Sequence, residues 1–201
     1  MTRIPPIDSA TAAPAAAQLL VSVQKSLGTV PTMMRVMAHS PALLSGYLQL
    51  SEALANGGLS VGVRERIAVF IAEQNGCAYC LSAHSYLAKH VAKLSAGQIT
   101  DARDGYSEDA GILAALQFAA DVHDSRGSIS DYQLERALSA GLSEAELLEI
   151  IGHVAINVLT NYLNIAIGTE VDFPLVVPRG SAAGITSRRH DRQASARART
   201  P

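Results

Sequence analysis

An all-α fold of about eight to nine helices is expected from three features of this 201-residue chain. Hydrophobic residues make up 48%, yet aromatics are only 4% and Trp is absent. A core of Ala, Leu, Ile and Val packs closely between helices and lacks the aromatic and β-branched pairs of a sandwich. The Ser-x-x-Gln or Ser-x-x-Glu spacing of a capping box recurs at Ser95, Ser130 and Ser143, each before a further helical segment. No alternating run reaches strand length; Leu175 to Val177 is too short.

The helices follow in order. Pro14 to Leu27 carries apolar residues at helical spacing and stops at Gly28. Pro31 opens a short helix with Met33, Met34, Val36 and Met37, which read as core. Ser40-Pro41 starts a third, with Leu43, Leu44, Tyr47, Leu48, Leu50 and Leu54 on one stripe up to Gly57-Gly58. Ser60 caps a fourth helix that closes at Asn75-Gly76. A fifth runs from about Cys77 to about Leu94, and the three capping boxes begin further helices. Leu59-Ser60 and Leu142-Ser143 each open a long apolar helix, a faint sign of an internal pseudo-repeat.

Two regions are expected: a helical domain over residues 1–175 and a disordered basic tail over 176–201. The tail holds six Arg against one Asp, which leaves 10 basic and 17 acidic residues in the body. It has no apolar periodicity to offset the entropy of ordering, and no aromatics to stack on bases. Nucleic acid is therefore not expected as a partner. The start of the chain lacks the apolar stretch of a signal peptide. Ile150 to Gly168 is long and apolar, but His153, Asn157, Asn161 and Asn164 interrupt it, which suits a buried helix better than a lipid span. A cytoplasmic protein without membrane contact is the expectation.

Both cysteines fall in Glu73 to His84, as Cys77-Ala-Tyr79-Cys80, with His84 four residues beyond. Two cysteines in a chain this long do not staple a secreted scaffold, and a Cys-x-x-Cys pair can store two electrons as a disulfide. If Asn75-Gly76 ends one helix, Cys77 lies at the next N-terminus, where unpaired amides favour a thiolate. Cys80 and His84 then share its face, and a neutral imidazole there can take up a thiol proton. Glu65 lies on the preceding helix, which can fold back and aim its carboxylate at His84; Glu73 is nearer in sequence but of uncertain direction. The plain alternative for Glu65, between Arg64 and Arg66, is a surface ion pair. Cys77, Cys80 and His84 could also be three zinc ligands, with Glu65 or Glu73 fourth, but structural zinc usually takes more thiolates, and no metal is expected. Two inert buried thiols are the remaining reading. His153, Asn157 and Asn161, at i, i+4 and i+8, form a polar stripe on an apolar helix. They read as satisfied core or interface groups, or as lining of the cysteine pocket. His39 and His90 read as surface residues. No phosphate loop is present, so no nucleotide cofactor is expected.

Glu65, eleven residues, then Cys77-x-x-Cys80-x-x-x-His84 resembles the active-site signature of the AhpD-like alkylhydroperoxidase branch of the carboxymuconolactone decarboxylase superfamily. The likeness extends through Gly28-Thr-Val-Pro31, Ala38-His-Ser-Pro41, Leu59-Ser60, Thr160-Asn-Tyr-Leu-Asn164 and Asp172-Phe-Pro174, covering residues 3 to 175. It implies an all-helical homo-oligomer, a trimer or a dimer of trimers, that reduces peroxides with no cofactor beyond a redox-active Cys77–Cys80 disulfide. By position, Cys80 is oxidised to the sulfenic acid, Cys77 is proton donor and resolving thiol, and Glu65 with His84 forms the proton relay. Tyr79 stands where the best-studied members have His, which removes a second histidine from that relay. The expected function is a peroxidase regenerated by a thiol or dithiol reductant. The alternatives are a thiol-independent decarboxylase or lactone-processing enzyme, which has no use for the cysteine pair, and a non-catalytic redox sensor.

Overall fold

A computed structural model describes residues 2–179 of the chain. Nine helices and no strand are found among the described residues: α1 (Pro14–Leu27), α2 (Thr32–Met37), α3 (Pro41–Ala55), α4 (Val61–Gln74), α5 (Ala78–His90), α6 (Ala96–Arg103), α7 (Ala110–Ser125), α8 (Asp131–Ser139) and α9 (Glu144–Ile167). All three capping boxes form, at Ser95, Ser130 and Ser143. Ser40, Ser60 and Asp109 cap α3, α4 and α7 with one side-chain bond each. Each such bond satisfies an amide that the helix itself leaves orphaned.

α5 stops short of the expected Leu94. Lys93 takes a left-handed φ of 58°, and the amides of Ala92 and Leu94 turn back onto the carbonyls of Leu87 and Ala88. That closes the helix at His90 and frees Ser95 to cap α6.

α4 is the hub, packing on α5, α6, α7 and α9. Its two faces serve two cores. Val69 and Ala72 join Leu20, Met37, Leu44 and both cysteines in the first; Ile67, Phe70 and Ile71 join Leu116, Phe118 and Ile150 in the second. α9 closes the molecule behind them. By length and hydropathy alone α9 could cross a bilayer, but its buried face includes His153, Asn157, Asn161 and Asn164, and its exposed face is apolar. α9 packs on α3, α4, α5 and α7 of the same fold, as the core helix of a helical domain does. Glu149 of α9 accepts from the backbone N–H groups of Gly58 and Leu59, at 2.9 and 3.1 Å, tying α9 to the start of α4.

The basic tail expected from residue 176 lies, from residue 180 onward, outside the described residues. Residues 176–179 run across α4, α5 and α6. The Val176 amide donates to Ser82 Oγ at 2.9 Å, Arg103 donates to the Val177 carbonyl, and the Arg179 amide donates to Glu73 at 2.6 Å.

Candidate active site

Everything at the site hangs on one turn. Gly76 takes a left-handed φ of 69°, which a side chain would resist, and the Cys77 amide closes onto the Ala72 carbonyl at 2.9 Å. α4 and α5 thereby run back to back, and Cys77 becomes the N-cap of α5. Its sulfur accepts from the Cys80 amide at 3.2 Å, and its thiol donates to Cys80 Sγ at 2.7 Å. Both cysteines are free thiols and both are buried.

The two thiols are driven apart in acidity, contrary to the expectation that the helix N-terminus favours a thiolate at Cys77. The Cys77 thiol is pushed up, first by its hydrogen bond to Cys80 and then by burial. At Cys80 burial pushes up as well, but four neighbours outweigh it: the Cys77 thiol, the Asn164 amide, the charge of His84 and the Asn161 amide. The Cys80 thiol therefore lies below its ordinary value. Asn164 Nδ2 is 3.3 Å from Cys80 Sγ and 3.1 Å from Met33 Sδ. Because Cys77 gives its proton to the hydrogen bond with Cys80, Cys77 is the thiol that keeps its proton and Cys80 the more acidic of the two.

Glu65 and His84 come together as the spacing of the two helices suggested: Nδ1 to Oε2 is 2.9 Å, with the side chains 15% and 26% exposed. Burial works to lower the His84 pKa, but the charge and hydrogen bond of Glu65 and the charge of Cys80 raise it. The ring is thus held toward imidazolium, not the neutral base the sequence reading expected. Glu73 points elsewhere. Its carboxylate pairs with Arg103 Nε at 2.6 Å and takes the Arg179 amide, so it fastens α6 and the C-terminal strap.

Tyr79 also has a structural post. α2 begins at Thr32 after Pro31, which has no side chain to cap it. The first amides are satisfied from across the fold: Asp172 accepts from Thr32 at 2.6 Å and the Tyr79 hydroxyl accepts from Met33 at 3.2 Å. The hydroxyl also interacts with Asp172, and its pKa is pushed up, by burial before anything else. Phe173 meets the Tyr79 ring edge-on at 5.9 Å between centroids.

Two cavities meet at His84. One, of about 220 Å³, opens onto Cys80 and is walled by apolar groups that include Met33, Met34, Tyr86, Leu87 and Phe173. The other, of about 160 Å³, is polar and holds Arg64, Glu65, Ser51, His153 and Asn157. Tyr47 and Thr160 line both, and the Tyr47 hydroxyl is pushed up to about 12 by burial and then by the Cys80 charge. His153, Asn157 and Asn161 are all buried on the face of α9 that looks toward this region. Asn157 donates to the His153 carbonyl at 2.8 Å. Burial, then the nearby Arg64, lowers the His153 pKa, which keeps the ring neutral, and its Nε2 has no partner. His39 and His90 are exposed, away from the cysteines.

Asn164, Tyr47 and Asp172 escaped the sequence reading as site residues. Asn164 had a usable signal, since it lies three residues after Asn161 and continues the same polar stripe. Among the described residues no cluster of three His, Cys, Asp or Glu side chains is placed to hold a metal ion.

The fold sets a Cys-x-x-Cys pair at a helix start beside a Glu–His pair delivered from two packed helices. Residues 41–122 match the carboxymuconolactone decarboxylase family. The fold is similar to that of the alkylhydroperoxidase AhpD core, peroxidase-related protein from Ralstonia eutropha JMP134, at TM-score 0.75 and 26% identity over 85% of this chain and 92% of that one. A peroxidase-related protein from Silicibacter sp. TM1040 superposes at TM-score 0.72, with 24% identity over 84% and 91% of the two chains. The debrominase Bmp8, in complex with 2,3,4-tribromopyrrole, shares the fold at TM-score 0.71 and 20% identity, over 86% and 92%. No curated protein sequence matches the chain. The match to the carboxymuconolactone decarboxylase family spans the part of the chain that carries Glu65, Cys77, Cys80 and His84.

Proposed function

We propose that the protein is a thiol peroxidase that reduces organic hydroperoxides in antioxidant defence in the cytoplasm, and that it works as a homo-oligomer, a trimer or hexamer. The observation that carries the proposal is a pair of buried free thiols 2.7 Å apart, with Cys80 on the wall of an apolar cavity and the Glu65–His84 pair beside it. The Cys80 thiolate attacks the terminal peroxide oxygen, breaking the O–O bond; Cys80 becomes the sulfenic acid and the alkoxide leaves. The alkoxide takes a proton, and His84, held toward imidazolium by Glu65, is the near donor. Cys77 sulfur then attacks the Cys80 sulfenate, forming the disulfide and releasing water. A dithiol reductant, small or protein, returns two electrons and two protons. Met34, Tyr86, Leu87 and Phe173 favour an alkyl or aryl substituent on the peroxide over hydrogen peroxide itself.

A second reading draws on the polar cavity. Glu65, His153 and Arg64 around about 160 Å³ would suit general acid–base work on a small oxygenated substrate without thiols. Peroxide consumption separates the two. One equivalent of cumene hydroperoxide should convert the reduced protein to an intrachain disulfide, with loss of two titratable thiols. Cys80→Ser should abolish peroxide consumption, and Cys77→Ser should leave a sulfenate on Cys80 that dimedone traps. Undiminished consumption by the doubly substituted Cys77→Ser, Cys80→Ser protein would overturn the thiol reading.

A further inference from the structure

Behind the cysteines, on the side away from Glu65 and His84, a line of polar groups runs to the surface. His123 near the end of α7 has Nδ1 3.1 Å from Asp124 Oδ1 and Nε2 3.1 Å from Asn75 Oδ1. Asn75 Nδ2 in turn donates to Asn161 Oδ1 at 3.0 Å. Asn161 is fully buried, and with its oxygen so engaged its Nδ2 has no hydrogen-bond partner of its own and faces Cys80. We infer that His123 is a positioning residue for the reacting thiol, acting through Asn75 to keep the N–H₂ of Asn161, not its carbonyl, turned toward Cys80.

The orientation of every amide in this line follows from what lies at its outer end. An amide oxygen only accepts, so Nε2 of His123 must donate to Asn75. Asn75 then has its N–H₂ free for Asn161, and Asn161 has its own N–H₂ left for the sulfur. The other self-consistent arrangement begins with a His123 Nε2 that accepts, and it reverses both amides and presents the Asn161 carbonyl to Cys80. A carbonyl there stabilises a thiol, and an N–H₂ stabilises a thiolate. The groups that face the ring across its cleft are Asp124, Arg126 and Tyr162. Asn75 is also the residue that closes α4 ahead of the Gly76 turn, so the line enters the site beside the same turn that places Cys77.

The inference rests on the reading of Cys80 as the reactive thiol, but its test does not need peroxide turnover. The rate of iodoacetamide alkylation at Cys80, located by mass spectrometry, is followed against pH in the reduced full-length protein. His123→Leu should move the midpoint upward by about one unit, the scale of one hydrogen bond to a charged group. His123→Gln, neutral but still able to donate to Asn75, should stay near the parent. In an Asn161→Ala background His123→Leu should add no further shift, because the two act in one line. A parental midpoint in a folded His123→Leu variant overturns the inference. Equal shifts for Leu and Gln, or a shift that survives in Asn161→Ala, assign the effect to the charge of His123 alone and overturn it too. Failure of peroxide consumption with the expected titration would leave this inference standing and remove the proposed function.

Discussion

Asn164 and Tyr79 answer different questions. Asn164 donates to the thiolate, so Asn164→Ala should raise the pH midpoint of Cys80 alkylation and slow the reaction at neutral pH, by up to about 1–2 units of midpoint. The direction follows from the lowered Cys80 pKa, since removing a donor to the charged form returns it toward an ordinary thiol. Tyr79→Phe removes the acceptor of the Met33 amide and the Asp172 contact. It should cost about 1–2 kcal/mol in a urea denaturation series while leaving the alkylation profile in place. His84 gives a third measurement. Its pKa is raised in the fold, so its contribution to stability is fully present below the ordinary value of about 6.5 and is lost as pH rises through the raised one. Glu65→Gln should flatten that part of the stability–pH curve and raise the Cys80 midpoint; an unchanged curve would mean that the Glu65–His84 pair is only a surface contact.

Among the elements, α4, α5 and α9 make the site and α2 closes it. α9 is registered on α4 by one carboxylate, that of Glu149, which takes two backbone amides at the α3–α4 connection. Glu149→Ala strands both, and a loss of about 1.5–3 kcal/mol is expected from chemical denaturation, the range for hydrogen bonds to a charged group. Gly57 stands close by for the same reason. A Cβ there would meet the Glu149 carboxylate at 2.5 Å, so Gly57→Ala should reproduce part of the loss. Helix starts were legible in the sequence because capping is a local transaction between residues three apart, as at Ser95, Ser130 and Ser143. The end of α5 was not. It depends on Lys93 accepting a left-handed backbone, which no glycine or proline announces.

For the whole molecule, the outer face of α9 carries Leu148, Ile151, Leu159, Tyr162 and Ile165, all substantially exposed and spaced to share one stripe. We propose that a second copy of the chain covers this stripe in the homo-oligomer, because a continuous apolar face on the longest helix is not left to water. Light scattering should show a mass above that of one 21.1 kDa chain at micromolar concentration, and Leu159→Glu with Tyr162→Glu should reduce it to the monomer. A parent that is already monomeric would sink the proposal. The stripe lies on the side of α9 opposite the buried amides, so assembly leaves the cavity over Cys80 undisturbed.

What the sequence determined by itself is whatever depends on neighbours along the chain: an all-helical fold, the cap residues, the face shared by Cys77, Cys80 and His84, and a polar stripe on α9. The meeting of Glu65 with His84 was legible too, because a short turn at Asn75-Gly76 leaves two helices little choice but to lie antiparallel. Only the tertiary structure decided which thiol is the acidic one. That preference comes from the Cys77 thiol first, then from Asn164, His84 and Asn161 reaching the same sulfur from α9 and α5; the dipole of the helix start alone pointed to the other thiol, and only the family resemblance had named Cys80. It likewise decided that Glu73 belongs to Arg103 and that Tyr79 serves α2. Acidity, pairing and cavity shape depend on groups more than eighty residues apart in the chain but within about 3 Å in space, and no local pattern encodes such a distance.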